Sequence, residues 1–554
     1  MSEARNLQPG PPAAEPGPHD RPSGPAGASA AAGEPYDAVV VGGGVNGAGI
    51  ARDLAGRGAR VLLVERDDLA SHTSSASTKL IHGGLRDLEH REFGLVRKAL
   101  AEREGLLRGA PHIMWPLRFV MPHDPSMRPA WMIRAGLFLY DHLARRELLP
   151  ASRSLRLADD PAGAPLLPRF VRGFEYADGW VDDARLVVLC AVDAVARGAQ
   201  VRVRTACVQA RREAGLWRIV LEGPGGAREV VRARALVNAA GPWAARFLGE
   251  ALERPRPRAL RLVRGSHVVV RRLFDHDRAY LFQNADGRVL FAIPYEGDFT
   301  LLGTTDVEHH ESLEAVAAAP AEVEYLCAQA ARFLRRPPVP ADVVWHYSGV
   351  RPLLDDDSGD PAAITRDYAL ELEREPGSPA GADAPLLSVW GGKITTFRLL
   401  AEEAADRLAP LLGLTRGPWT RGAVLPGGDL SVAIRPTGRP DADFAAFVAE
   451  LGRRHPEVAP ARRTRLARAY GAQALALLEA PQGEEVAPGL HEAELDHLQR
   501  AEWAGCADDV LWRRSKLGLH LSPAQREAVA RWCERTWGAA PGAGPTACAR
   551  SLPS

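Results

Sequence analysis

Residues 36–65 read YDAVVVGGGVNGAGIARDLAGRGARVLLVE. The apolar run from Asp37 to Val41 predicts a buried strand, and Gly42, Gly44 and Gly47 predict a glycine-rich turn. Gly49 to Arg57 then reads as a helix, and Arg60 to Val64 as a second strand ending on Glu65. Each part has its own physical reason. Gly42 permits a tight turn, Gly44 lets the backbone approach a pyrophosphate, and Gly47 lets the helix pack closely on the strand. The free N–H groups at the helix start favour phosphate. Glu65 lies 21 residues after Gly44, where a carboxylate accepts hydrogen bonds from both hydroxyls of an adenosine ribose. The same carboxylate repels a 2′-phosphate and so disfavours NADP. The expected ligand is an adenine dinucleotide.

A chain of 554 residues is long enough for two or three domains with a large core. Lys plus Arg equals Asp plus Glu at 69 each, so the surface as a whole gives no reason for non-specific nucleic-acid binding. Six scattered cysteines form no CxxC pair, and no histidine stands at metal-ligand spacing, so free thiols and no metal are expected. Residues 1–35 contain eight prolines, five glycines and eight alanines and predict a disordered tail. No run approaches the ~20 apolar residues of a spanning helix, so the expected location is the cytosol or a membrane surface.

Between 69 and 86 the chain is rich in hydroxyls and small residues, including Ser74, Ser75, Ser77, Lys79, His82-Gly83-Gly84 and Arg86, and predicts a loop and helix start lining a charged ligand. Helical periodicity resumes over 89–109. Met132 to Tyr140 is apolar but interrupted by Arg134; the pattern fits both a helix at a lipid interface and a core helix with solvated ends. Strands are expected at 201–203, 217–221 and 235–237, the last leading into Asn238-Ala239-Ala240-Gly241-Pro242-Trp243, a small-residue turn. Further strands fall at 266–270, 289–294, 299–303 and 386–390. Gly391-Gly392-Lys393 precedes a helix from Thr395 to about Leu412. A Pro/Gly-rich hinge near 417–428 leads to helical patterning over 440–537, and the stretch after Gly538 predicts disorder.

Gly391-Gly392 repeats the strand–turn–helix arrangement far from the first turn. One positive helix end would hold a pyrophosphate, and the other would face a flavin's pyrimidine edge, which favours FAD over NAD. Arg86, Arg351, Arg366 and Lys393 stand in polar, glycine-bearing surroundings, and together with a cofactor site they are expected to assemble an anion pocket with forked and point-charge donors. His267 opens a strand after Gly265-Ser266 and is a candidate proton acceptor.

The segments VVVGGGVNGAGIARDLAGRG, TSSASTKLIHGGLRDLEH, RPAWMIRAGLFLYDHL, GFEYADGWVDDARL, NAAGPW, GSHVVV, GTTDVE, YSGVRPL, AITRDY, SVWGGKITTFR and ADDVLWRRSKLG closely resemble the FAD-dependent respiratory glycerol-3-phosphate dehydrogenases, a branch of the glycine-oxidase-like flavoproteins. The resemblance implies an α/β fold in which a Rossmann-like FAD-binding domain is interleaved with an antiparallel-sheet substrate domain over 36–415. An all-α C-terminal domain would follow over 416–537, with a tail over 538–554. It implies oxidation of glycerol 3-phosphate to dihydroxyacetone phosphate, with hydride passing from C2 to flavin N5 and electrons leaving to a membrane quinone. It also implies a monotopic, often dimeric protein on the inner face of the cell membrane. By motif, Arg86, Thr304, Arg351, Arg366 and Lys393 would bind substrate. His267 or Arg351, with Lys393, would act in catalysis. Gly42, Gly44, Gly47, Glu65, Ser74, Ser75, Ser77, Leu80, His82, Gly83, Gly84, Gly241, Gly391, Gly392, Lys393 and Thr395 would hold FAD. Where the family has GGLRYLEH, this chain carries Asp87 in place of the tyrosine, and a carboxylate beside a phosphate dianion would repel it.

Overall fold

In the computed structural model the strand Tyr36–Val41 is the centre of a largely parallel sheet. The structure describes residues 34–85, 88, 92–124, 128–254, 260–284, 286–354, 367–374 and 384–538. The tail expected over 1–35 therefore falls almost wholly outside the described residues, as do residues 539–554, Arg86, Asp87 and Arg366. The sheet runs in the order Ala369–Glu373, Leu386–Trp390, Arg228–Asn238, Tyr36–Val41, Val61–Val64, Gln200–Arg202. Tyr36–Val41 and Val61–Val64 are buried throughout, or nearly so, because helices cover one face and a further apolar layer the other. On the helical side, Val45–Gly56, Asp183–Ala196 and Phe397–Leu412 pack their aliphatic faces against it.

A second, mainly antiparallel sheet carries the other wall of the site. Its order is Val307–Glu308, Leu260–Arg271, Phe299–Gly303, Val289–Tyr295, Ala279–Gln283, Met114–Pro122, Arg172–Val181, Leu80–Ile81, with Val343–Leu354 also paired to Leu260–Arg271. Alternation along each strand sorts its side chains between two faces. One face packs Phe119, Tyr176, Leu281, Ile293 and Leu301 in a cluster with Val96 and Leu100 of the helix Phe93–Gly109 and Leu137 and Tyr140 of the helix Ala130–His142. The other packs Tyr280, Phe282, Leu290 and Leu302 under the helix Pro320–Ala331.

The C-terminal helices Pro440–Arg454, Pro460–Tyr470, Glu492–Glu502 and Pro523–Trp537 enclose their own core around Phe447, Leu466, Leu495 and Val510. Helical periodicity hides one detail, a short hairpin of Glu485–Ala487 with Leu490–His491. Two helix starts also differ from the sequence pattern. The first helix begins at Val45, directly after the turn, with extended Gly44 as its N-cap, so Gly47 lies inside it. The helix expected from Thr395 opens as a 3-10 turn, Ile394–Thr396, before Phe397–Leu412. In both, a backbone that must face a ligand sets the boundary before apolar spacing becomes visible.

The segment with two readings, Met132 to Tyr140, lies in the helix Ala130–His142, of which only Leu137 and Tyr140 are buried. Trp131 is 69 % exposed and Phe138 57 %. A core helix is thereby excluded: this is an apolar face turned outwards. Among the described residues no helix is long and apolar enough to cross a membrane.

Candidate active site

The first glycine turn is built as its sequence predicts. Gly42 has φ of +113°, and a Cβ there would lie 2.4 Å from the Ala239 carbonyl oxygen; a Cβ on Gly47 would lie 1.9 Å from the Gly42 carbonyl oxygen. Neither position admits a side chain, so the helix N-terminus sits hard against the strand end. The Val45 N–H donates to Ser74 Oγ at 3.0 Å, which fastens the hydroxyl-rich loop to the helix start. The Glu65 carboxylate accepts from the Gly43 N–H at 2.6 Å and the Asp67 N–H at 2.9 Å. Each of its oxygens retains a second lone pair for a ribose hydroxyl. Glu65 borders a cavity of about 390 Å³, together with His72, Ala206, Gly241 and Trp243. Asn46 Oδ1 is buried there without a partner, while its Nδ2 donates to the Gly391 carbonyl at 3.2 Å.

That carbonyl marks the junction with a second cavity, of about 410 Å³. Val45, Thr73, Ser74, Pro352, Gly391 and Gly392 border both, so the two join end to end along the two glycine turns. Gly391 and Gly392 have φ of +71° and +106°, which bends the chain sharply between Leu386–Trp390 and the following helix. The His82 N–H donates to Thr395 Oγ1 at 3.2 Å, tying the 80–84 loop to that helix start. An extended dinucleotide fits this channel: backbone N–H groups and an acid at one end, and a second positive helix end at the other.

Between 73 and 79 the loop owes its shape to a buried ion pair. Lys79 Nζ lies 2.7 Å from Asp183 Oδ1, with both side chains closed to solvent, and also donates to the Ser75 carbonyl at 3.1 Å. Ser77 gives its N–H and its hydroxyl to Asp183 Oδ2. Burial lowers the proton affinity of Lys79 and Asp183 opposes that shift. Ser75 and Ser77 thus help to shape the loop, and Ser77 also borders the second cavity.

The second sheet supplies the polar wall. Arg351 pairs with Asp306 and donates from Nη2 to Thr304 Oγ1 at 3.2 Å; Thr304, Asp306, Arg351 and Lys393 all border the second cavity. Room for them comes from glycines on neighbouring strands. Gly265 pairs directly with Gly349, and a Cβ on Gly265 would lie 2.3 Å from Arg351 Nη2. Gly303 pairs with His267, and its Cβ would lie 2.0 Å from the imidazole Cδ2.

His267 stands one layer back. It is 1 % exposed, stacks on Tyr347 with ring centroids 4.8 Å apart, and holds its Nε2 3.0 Å from Thr78 Oγ1, whereas its Nδ1 has no partner. Thr78, not His267, borders the cavity. Burial first, then the charges of Arg351 and Lys79, hold His267 well below its ordinary proton affinity, so the ring is neutral. The structure thus brings together Thr304, Arg351 and Lys393 beside the second glycine turn. It adds Thr78, Asp306 and the glycine set, which sequence reasoning missed because their partners lie far along the chain.

Residues 37–370 match the FAD dependent oxidoreductase (DAO) family. The chain is 50 % identical over 511 residues to the glycerol-3-phosphate dehydrogenase of Pseudomonas aeruginosa, covering 91 % of this chain and 96 % of that one. It is 46 % identical to the D-erythritol 1-phosphate dehydrogenase of Brucella abortus, covering 90 % and 98 %. Among solved structures, that of the glycerol-3-phosphate dehydrogenase from Bacillus halodurans complexed with FAD aligns with a TM-score of 0.70 at 27 % identity, covering 91 % of both chains. The chain belongs to the FAD dependent oxidoreductase family, within its branch of FAD-dependent glycerol-3-phosphate dehydrogenases.

Proposed function

We propose that this enzyme oxidises sn-glycerol 3-phosphate at C2 to dihydroxyacetone phosphate and passes the electrons to a membrane quinone. The observation that carries the reading is the meeting of Lys393, Thr304 and the Asp306-held Arg351 beside the second glycine turn. That set recognises a phosphorylated alcohol better than an amine. The names of the relatives leave two chain lengths in view, glycerol 3-phosphate and D-erythritol 1-phosphate; the greater identity lies with the former.

FAD, held by the two glycine turns and Glu65, supplies the hydride acceptor. The protein's own task is to place C2 and manage a proton. Lys393, Arg351 and Thr304 bind and orient the substrate, with Arg86 and Arg366 added from the family motif. The hydroxyl proton passes to Thr78 Oγ1 while the Thr78 proton passes to His267 Nε2, which its neutral state makes available as an acceptor. Arg351 offsets the negative charge that gathers on the C2 oxygen. The apolar face of Ala130–His142, with Trp131, Met132, Phe138 and Leu139 exposed and Arg145 close after it, rests on the lipid surface that holds the quinone.

Anaerobic mixing with glycerol 3-phosphate should bleach the flavin absorption band, faster than D-erythritol 1-phosphate does. A band that stays unbleached refutes the substrate. Rapid recovery on adding a quinone, with slow recovery in air, is expected; fast recovery in air makes the enzyme an oxidase. Flotation with liposomes should carry the protein upwards and fail for Trp131→Ser/Phe138→Ser. Protein left wholly in the aqueous fraction overturns the membrane contact.

A further inference from the structure

The adenosine cavity is walled by two segments that follow different strands, the loop 65–74 after Val61–Val64, and after Gln200–Arg202 the loop 203–205 with the start of the strand Ala206–Glu213. Both are fastened to one segment of the C-terminal helical region, the π-helix Asp509–Arg514. Asp68 accepts from Arg514 Nη1 and Nη2 at 2.7 and 2.8 Å and from Arg513 Nε at 2.6 Å. Arg204 donates to Asp509 Oδ2, and Asp509 also pairs with Arg513. Asp68, Asp509 and Arg514 are at most 3 % exposed. The loops are joined to one another by backbone bonds, Arg204 N–H to the Asp67 carbonyl at 2.7 Å and Thr205 N–H to the Glu65 carbonyl at 2.8 Å.

Glu65, with one oxygen held by the Asp67 N–H, thus sits three residues from a carboxylate that three arginine N–H groups fix. Buried ion pairs add little net stability over apolar packing but specify geometry, because a displaced partner leaves an uncompensated charge. π-Turns concentrate where function requires an irregular backbone. Its members border neither cavity themselves; they reach the first through their chain neighbours Arg66, Ala70 and Thr205, which line it, whereas no such neighbour lines the second.

We infer that the segment Asp509–Arg514 is a latch that shapes the adenosine side of the FAD site, with Asp68, Arg204, Asp509, Arg513 and Arg514 as positioning residues. FAD binding and docking of the C-terminal helical region are therefore coupled, and each stabilises the other. The inference rests on the assignment of FAD to the channel. Its members touch neither the reacting atoms nor the substrate.

The test is FAD affinity of the full-length apoprotein, followed by quenching of flavin fluorescence on reconstitution. Asp68→Asn, and the milder Arg204→Gln and Arg513→Gln, should each bind FAD at least tenfold more weakly. Adding FAD should protect the region around 505–515 from amide exchange in the wild type and less in the variants. Glu494→Gln is the control. It breaks another ion pair of a buried carboxylate, Glu494 with Arg465 at 2.6 Å, within the helical region and away from both loops. It should lower the melting temperature and leave FAD affinity unchanged. The latch is overturned if Arg204→Gln and Arg513→Gln fold and bind FAD as the wild type does, or if Glu494→Gln weakens FAD in proportion to its loss of stability. A wild-type apoprotein that takes up no FAD refutes the cofactor assignment, a separate outcome.

Discussion

Gly265→Ala isolates Arg351 without touching it. Gly265 lies within the strand Leu260–Arg271 at a position any residue can adopt, so the backbone tolerates alanine. Space is the obstacle: the new Cβ would lie 2.3 Å from Arg351 Nη2, 2.9 Å from its Cζ and 2.8 Å from Thr304 Oγ1. Ordinary contact needs roughly 1 Å more, and the guanidinium, a flexible end, is the group that yields. It then loses its bond to Thr304 and its alignment with Asp306. A charge-assisted hydrogen bond contributes about 1.5–3 kcal/mol, or roughly 10- to 150-fold in rate, and a 1 Å misplacement alone costs about 10²-fold. We expect kcat/KM for glycerol 3-phosphate to fall about 10²-fold, with the flavin-to-protein ratio unchanged and the melting temperature shifted by only a few degrees. Stopped-flow reduction of the flavin under anaerobic conditions measures this directly. A variant that retains full flavin and reduces it within threefold of the wild-type kcat/KM refutes the placing of Arg351 at the reacting end of the substrate.

The proton route through Thr78 separates two substitutions: Thr78→Ser should keep most of kcat, and Thr78→Val should lower it about 10²-fold or more with FAD bound, both read as flavin reduction rates. Equal rates for the two rule out the hydroxyl relay. His112 is fully buried, and burial together with Arg185 and Arg468 pushes it down to about 3 from its ordinary 6.5. The unfolded chain takes up this proton and the native one refuses it, so stability is full above pH 6.5 and declines as pH falls from 6.5 towards 3. At pH 5 the loss is about 2 kcal/mol, measurable as a lower urea midpoint that His112→Gln flattens. Asp87→Tyr restores the family's hydroxyl and should lower KM for glycerol 3-phosphate several-fold; an unchanged KM means that position 87 does not contact the phosphate.

What the sequence made legible was the chemistry carried by neighbours. Gly42, Gly44, Gly47 and Glu65 sit within one strand–turn–helix–strand unit, so their spacing alone encodes the geometry that the structure shows. The same holds for Gly391-Gly392-Lys393. Pairings across the chain were not legible. Thr78 meets His267 across 189 positions, and Lys79 meets Asp183 across 104. No local pattern marks Gly265, Gly303 and Gly349, because their absent side chains matter only once three strands lie side by side. The apolar stretch of Ala130–His142 was ambiguous for a related reason: periodicity shows that a helix has an apolar face but not what covers it.

If the proton passes through Thr78 as proposed, the placing of His267 behind it bears on how that transfer is timed. A histidine in direct contact with water would keep an ordinary proton affinity and be partly charged near pH 6.5. Enclosed between Tyr347 and Thr78, with Arg351 and Lys79 near it, the ring is kept neutral. Of those causes, burial and Lys79 are fixed, since Lys79 is locked on Asp183. Arg351, although paired with Asp306, borders the cavity, and a phosphorylated substrate bound there as proposed would bring two negative charges towards it. Under the proposed function, binding would offset part of the Arg351 charge and so raise the proton affinity of His267 when the C2 hydroxyl arrives. On that proposal the acceptor would strengthen with occupancy of the site. A cation set that bound phosphate far from the histidine would anchor the substrate equally well and would lack this coupling, which gives a physical reason for Arg351 to stand on the strand that carries Tyr347.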